Sequence, residues 1–262
     1  MSRLDFRNLW IDDPPPPVWL IPRVMTAAQM VVLAGDAGVG KSLLALWWAQ
    51  SLACGLPIFN ERSDPINVLY VNEENSWYDI REYMRWVRYG LEGVDETVLE
   101  RHLRVEQFTL SLSSSRWFDN LRVLAADHKP RLIVIDTATP ACQIQDEDKN
   151  GEASVAIMHL RGAMMAGGTG CGMLVLKHAR VHKKREERAI RGAKAWKGAC
   201  DSLIFHTRAP GRPREDGLHS SYLWPDKARA FGLKDRVQVT PEWVPRGPKK
   251  VGIALAWAIL PE

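Results

Sequence analysis

From Met30 onward the chain alternates between short unbroken apolar runs and longer stretches with one apolar face. Val31-Val32-Leu33-Ala34 is followed by a glycine-rich turn and a helical pattern over Ser42 to Ala53, then by Ile66 to Val71, so strand, helix and strand follow one another. That order implies a parallel sheet. The pattern continues with a helix over Trp77 to Tyr89, a strand near Leu103 to Phe108, a helix over Trp117 to His128 and a strand over Arg131 to Asp136. A further helix places Ala153, Ala156, Ile157, Leu160, Ala163 and Met164 on one face. Met173 to Leu176 and Leu203 to Phe205 then read as buried strands. Beyond them the chain turns to Gly- and Pro-punctuated strands, with Val237 to Val239 and Ile253 to Ile259 the clearest. At the other end, Asp12 to Pro17 holds four consecutive prolines, which cannot propagate a helix or donate to a ladder. The expected organisation is an arm with a Pro-rich linker over 1–23, a core over 24–208 and a β-rich extension over 209–262.

Composition narrows the class. A chain of 262 residues, 46% of them apolar, should bury about 73% of its unfolded surface, enough for one large core. No apolar run approaches the roughly 18 to 20 residues of a spanning helix, and the charged start Met1 to Arg7 has no apolar stretch of a secretory signal. Cys54, Cys142, Cys171 and Cys200 stand 88, 29 and 29 residues apart, without a C-x-x-C pair. They read as reduced thiols of a soluble, cytoplasmic chain with no membrane partner.

The strongest chemical signal is Gly35-Asp36-Ala37-Gly38-Val39-Gly40-Lys41-Ser42, a complete G-x-x-x-x-G-K-S between a strand and a helix. Its glycines let backbone N–H groups turn inward around phosphates, the helix N-terminus adds positive potential, and Lys41 reaches the β and γ phosphates. Ser42 is placed to hold Mg²⁺, so ATP and Mg²⁺ are the expected ligands. Asp136 closes the buried strand Leu132 to Ile135 as a Walker B carboxylate does, beside the magnesium. Two predicted strands lie between the P-loop and Asp136, unlike GTPases and simple nucleotide kinases, whose two motif strands are neighbours. This layout favours the additional-strand, catalytic-glutamate ATPases. The strand after the P-loop helix supplies candidates for that glutamate in Val71-Asn72-Glu73-Glu74-Asn75, at the sheet edge where ligands bind.

Together with Gly170-Cys171-Gly172-Met173-Leu174-Val175-Leu176-Lys177-His178, these motifs resemble the RecA-type ATPases, most closely plasmid RepA-type hexameric replicative helicases and their phage relatives. The resemblance covers about Val24 to Arg208 and implies a RecA-like three-layer α/β fold with a mostly parallel central sheet. It matches Glu74, rather than Glu73, to the catalytic glutamate, and His178 to the residue that senses the γ-phosphate. The family also carries an arginine that reaches the neighbouring subunit's ATP. Here the corresponding segment offers Arg191, Lys194 or Lys197, and the sequence does not choose between them.

Between Arg180 and Lys197 stand eight Lys or Arg against two Glu, a local charge of +6 in a chain whose total is +4. Arg180, Lys183, Lys184, Arg185, Arg188 and Lys197 are thus candidates for neutralising phosphates of single-stranded DNA. The resemblance places this loop at a central channel, in a ring, expected to be a hexamer, or a filament, working with replication or recombination partners. Trp196, inside the basic segment, is a candidate for stacking on a base, whereas Trp47, Trp48, Trp77 and Trp86 suit core or subunit packing. The expected output is translocation on or unwinding of DNA; a recombination ATPase that coats single strands and a non-enzymatic ATP-dependent loader are the alternatives.

Overall fold

The computed structural model describes residues 16–108, 114–142, 150–180, 189–190, 193–211, 214–228, 232–246 and 251–260. Residues 1–15 of the expected arm, including Pro14 and Pro15, lie outside them. A small antiparallel pair, β1 (Trp19–Ile21) and β2 (Met25–Thr26), precedes the P-loop strand β3 (Met30–Gly35) and helix α1 (Lys41–Ala53). Then come β4 (Val68–Asn72), α2 (Trp77–Gly90), α3 (Glu96–His102), β5 (Leu103–Glu106), α4 (Ser114–His128) and β6 (Leu132–Asp136). The short α5 (Ala138–Ala141) leads to α6 (Asn150–Gly167), β7 (Gly172–Arg180), β8 (Ala189–Ile190), α7 (Ala193–Ala199) and β9 (Ser202–Arg208). The C-terminal strands are β10 (Ser221–Ala228), β11 (Arg236–Pro245) and β12 (Val251–Leu260).

Ten strands form one sheet in the order β12-β11-β10-β9-β3-β7-β6-β4-β5, with β8 paired to the end of β7. From β9 to β5 every pairing is parallel, and β10, β11 and β12 continue the sheet antiparallel. The expected mixed α/β class with C-terminal antiparallel strands is therefore what the chain adopts. β7 lies between the P-loop strand β3 and the Asp136 strand β6, so the two motif strands are separated by an additional strand.

The central strands are apolar throughout because helices cover both faces, as parallel sheets require. Alternate residues serve alternate layers. Val31, Leu33, Tyr70, Val134 and Leu176 face the layer of α1 and α2, while Val32, Val71, Ile133 and Val175 face that of α4, α6 and α7. The result is three layers with a core on each side of the sheet.

Sequence periodicity passes over two elements for physical reasons. Helix α3 buries no residue, so it has no apolar stripe; it starts because Asp95 caps it, accepting from the Thr97 and Val98 amides at 2.9 and 3.2 Å. Strand β10 contains Pro225, ordinarily a strand breaker, and accommodates it at an irregularity in its pairing with β9 between Pro225 and Lys227.

Candidate functional site

All parallel strands end at the same edge, and register brings their last residues level. Gly35 of β3 pairs with His178 of β7, and Asn72 of β4 pairs with Asp136 of β6. Residues far apart in the chain thus meet at the carboxyl edge, where open α/β sheets bind ligands.

The P-loop turns sharply there. Gly40 precedes α1 with φ of 94°, a left-handed conformation that a side chain would strain. Lys41, 5% exposed, folds back so that Nζ donates to the Gly35 carbonyl at 3.0 Å and the Asp36 carbonyl at 2.9 Å. Burial holds its pKa below the ordinary lysine value, opposed by the nearby Glu74, Asp136 and Asp36 carboxylates.

Asp136 is fully buried. The Tyr70 hydroxyl donates to its Oδ2 at 2.6 Å, while Oδ1 has no hydrogen-bond partner among the described residues. Burial pushes the Asp136 pKa up to about 6, against the Tyr70 and Ser42 hydroxyls that favour the carboxylate. The peptide bond from Asp136 to Thr137 is cis. A buried carboxylate oxygen without a partner, beside the first hydroxyl of α1, is a donor set that suits Mg²⁺, which takes one or two protein oxygens and completes its shell with phosphates and water. Among the described residues no group of three or more His, Cys, Asp or Glu could hold a metal on its own.

The adjacent glutamates diverge. Glu73 turns inward, its Oε1 accepting from the Phe108 amide at 2.8 Å and the Trp117 indole at 3.1 Å; burial raises its pKa against these two donors. Glu74 faces the cleft, 3.1 Å from His178 Nε2. The His178 hydrogen bond holds its carboxyl below the ordinary value, against burial. The cleft between them is lined by Gly38, Gly40, Lys41 and Ser42 of the P-loop on one side and by Glu74 and His178 on the other.

Four residues at this edge had not been singled out in the sequence for a site role. Arg208, the last residue of β9, donates to the Gly38 carbonyl at 3.0 Å. His206, two residues earlier, is buried, its Nε2 is 2.7 Å from the Ser221 hydroxyl, and burial pushes its pKa down to about 3. Nothing in one sequence separates these from core residues of an apolar strand. Tyr83 and Trp86 of α2 line the same cleft; their i, i+3 spacing on an amphipathic helix was the available signal, and Trp86, expected to be packing only, also faces the cleft.

The basic segment is only partly described. Arg180 ends β7, and Lys194 lies in α7, without a described side chain. Lys183, Lys184, Arg185, Arg188 and Arg191 lie outside the described residues. Lys197 pairs with Asp226 at 2.8 Å. Trp196 corrects the sequence reading: it is 1% exposed, packed in the core beneath α7, with the Lys177 ammonium 4.8 Å from its ring centroid. A base cannot stack on it. The charged neighbours suggested a surface, but α7 turns Trp196 and Cys200, four apart, inward.

No disulfide joins the four cysteines, and among the described residues no helix is long and apolar enough to cross a membrane. The AAA_25 family, described as an AAA domain, matches residues 2–184, a span that takes in the P-loop, Glu74, Asp136 and His178. With more than half of its length covered and the P-loop ATPase architecture in place, the chain belongs to the AAA_25 family of RecA-like P-loop ATPases.

Proposed function

We propose that this chain is a Mg²⁺-dependent ATPase that uses hydrolysis to translocate on or unwind DNA, as a ring or filament of subunits of the replication-helicase kind, in the cytoplasm. The observation that carries the catalytic part is the Glu74 and His178 pair facing Lys41 and Ser42 across one cleft. Glu74 remains ionised through the neutral range, as a base that polarises an attacking water must. Lys41 neutralises phosphate charge, and Ser42 with Asp136 would hold the magnesium, which when bound spreads the charge of the transferring phosphoryl group. His178, bonded to Glu74, stands where loss of the γ-phosphate would be felt by both side chains and passed along β7 to the basic segment after Arg180. The +6 charge of that segment supports single-stranded DNA as the polymer.

Turnover with and without single-stranded DNA, followed by strand displacement on a forked duplex, tests the reading. DNA-stimulated hydrolysis with displacement is expected. Stimulation without displacement would favour a recombination ATPase, and binding without turnover a loader.

A further inference from the structure

The antiparallel strands that extend the sheet carry core residues on one face and a polar, aromatic surface on the other. Leu223, Val237 and Val239 pack on the core beside α1 and α2, so their neighbours along each strand point to the opposite face. On that side the core of the α4, α6 and α7 layer takes in no side chain of β11 or β12, and of β10 only the partly buried Trp224. What stands there is an aromatic and cationic cluster. The Arg236 guanidinium carbon lies 3.5 Å from the Trp224 ring centroid and 5.5 Å from that of Tyr222, and the two rings meet edge-on at 6.1 Å. The Trp224 indole donates to the Thr207 hydroxyl at 3.0 Å, which ties the cluster to β9. Arg236 has no carboxylate partner among the described residues. Tyr222, Arg236, Gln238 and Thr240 are half-buried, and Ala256 and Ala258 of β12, on the same face, are exposed. All of these residues lie beyond the span that the family covers.

A face with an aromatic ring, a planar cation free of carboxylates and a row of amide and hydroxyl groups matches single-stranded nucleic acid. Unstacked bases lie on aromatic rings and on guanidinium planes, and phosphates attract the cation. The core of a protein interface is richer in large apolar side chains, whereas β12 supplies alanines here. Of the acidic groups on β10 and β11, Asp226 pairs with Lys197 at 2.8 Å, and Glu242 stands toward the opposite end of β11 from Arg236. Position agrees with charge: the basic stretch that begins at Arg180 leads into α7, and α7 meets β10 through that Lys197 and Asp226 pair. We propose that Tyr222 and Arg236, braced by Trp224, form a second contact for single-stranded DNA, stacking its bases beside α7 while the basic segment neutralises its phosphates. The inference rests on the DNA reading above and deepens it. Stacking uses the face that every base has, so the contact tolerates any sequence.

The test binds an oligothymidylate carrying 5-iodouracil to the full chain, cross-links it by irradiation and maps the attached peptides. Cross-links at Tyr222 are expected in addition to those between Arg180 and Lys197. Fluorescence anisotropy then gives affinities. Tyr222→Leu should weaken oligothymidylate binding about tenfold, the effect of losing one stacked base, and Tyr222→Phe should restore it, with hydrolysis in the absence of DNA unchanged in both. Arg236→Lys, which keeps the charge and loses the plane, should also weaken binding, by about threefold or more. If the unaltered protein binds the oligonucleotide and cross-links only between Arg180 and Lys197, the face is not a contact and the reading of the basic segment stands; this outcome needs no variant to fold. Unchanged affinity in Tyr222→Leu overturns the proposal as well. So does altered self-association of that variant in sedimentation with DNA affinity retained, which would make the face a protein interface. If the unaltered protein binds no oligonucleotide, the DNA reading itself falls and the second contact with it.

Discussion

Glu73 and Glu74 are adjacent in the chain, yet their carboxylates serve opposite sides of the sheet edge. The sequence offered two acidic residues at one strand end, and side-chain direction alone does not choose between them, because the chain leaves the strand there and the period of two no longer applies. The resemblance favoured Glu74. The structure adds a physical distinction, since Glu73 Oε1 already accepts two hydrogen bonds from Phe108 and Trp117, whereas Glu74 has its hydrogen bond to His178 inside the cleft. Glu74→Gln should keep ATP binding and slow turnover by about 10² to 10⁴-fold, the usual range for losing a positioned base. Glu73→Gln retains an acceptor oxygen for Phe108 and Trp117 and should turn over at close to the unaltered rate. Single-turnover hydrolysis with saturating ATP checks both, and the reverse pattern would assign the base to Glu73. Trp196 is the opposite lesson at this scale: neighbouring charge suggested exposure, and the helical face of α7 decided otherwise.

At the scale of elements, the buried parallel strands were legible because helices on both faces leave them continuously apolar, and the helices α2, α4 and α6 because burial on one side gives them a stripe; α1, buried on nearly every side, was legible from its place directly after the glycine-rich turn. The elements that escaped lack those causes. Helix α3 buries nothing, β10 carries Pro225 within a paired segment, and β11 was legible only at Val237 to Val239, short of Pro241. Strand β9 was legible only as Leu203 to Phe205, yet the polar residues that follow tie it to the site. It is parallel to β3 on one side and antiparallel to β10 on the other, and His206 sits at that junction, bonded to Ser221. Burial, aided by Lys41, holds the His206 pKa at about 3 against an ordinary 6.5. The unfolded chain therefore binds more protons between these values, so this contribution to stability is complete above about pH 6.5 and is lost as pH falls toward 3. The slope can reach about 1.4 kcal/mol per pH unit. Asp136, raised from 3.8 to about 6, acts with the opposite sign between those values, so the informative comparison is with a variant. Urea unfolding at pH 7.5, 6.5 and 5.5 should show His206→Gln losing less stability than the unaltered protein across that range. Parallel losses would mean that His206 does not carry the acid sensitivity.

For the whole molecule, the proposed shared ATP site calls for a cation from Arg191, Lys194 or Lys197, and the direction of β9 constrains it. Ser202 pairs with Val31 and His206 with Gly35, so the strand rises about 13 Å between those levels at 3.3 Å per residue. Lys197 precedes Ser202 and is pinned to Asp226 of β10, at the amino edge of the sheet. Its own P-loop is at the carboxyl edge, further than a lysine side chain extends. A cation placed there does not reach its own P-loop; on the proposed reading it would serve a neighbouring subunit, and a site shared in this way needs an assembly, as closed rings and filaments of identical chains provide. Arg191→Ala, Lys194→Ala and Lys197→Ala should be made singly and each mixed with Lys41→Ala. The variant that removes the shared cation should be nearly inactive alone, should bind ATP almost normally, and should regain hydrolysis in the mixture, where some interfaces combine an intact P-loop with an intact cation. Activity of the unaltered protein should also rise with concentration as the site assembles. Co-assembly of the two variants is followed in parallel by sedimentation. If the variants co-assemble and no mixture regains hydrolysis, the cation acts within its own subunit, and a ring or filament is no longer needed to explain catalysis.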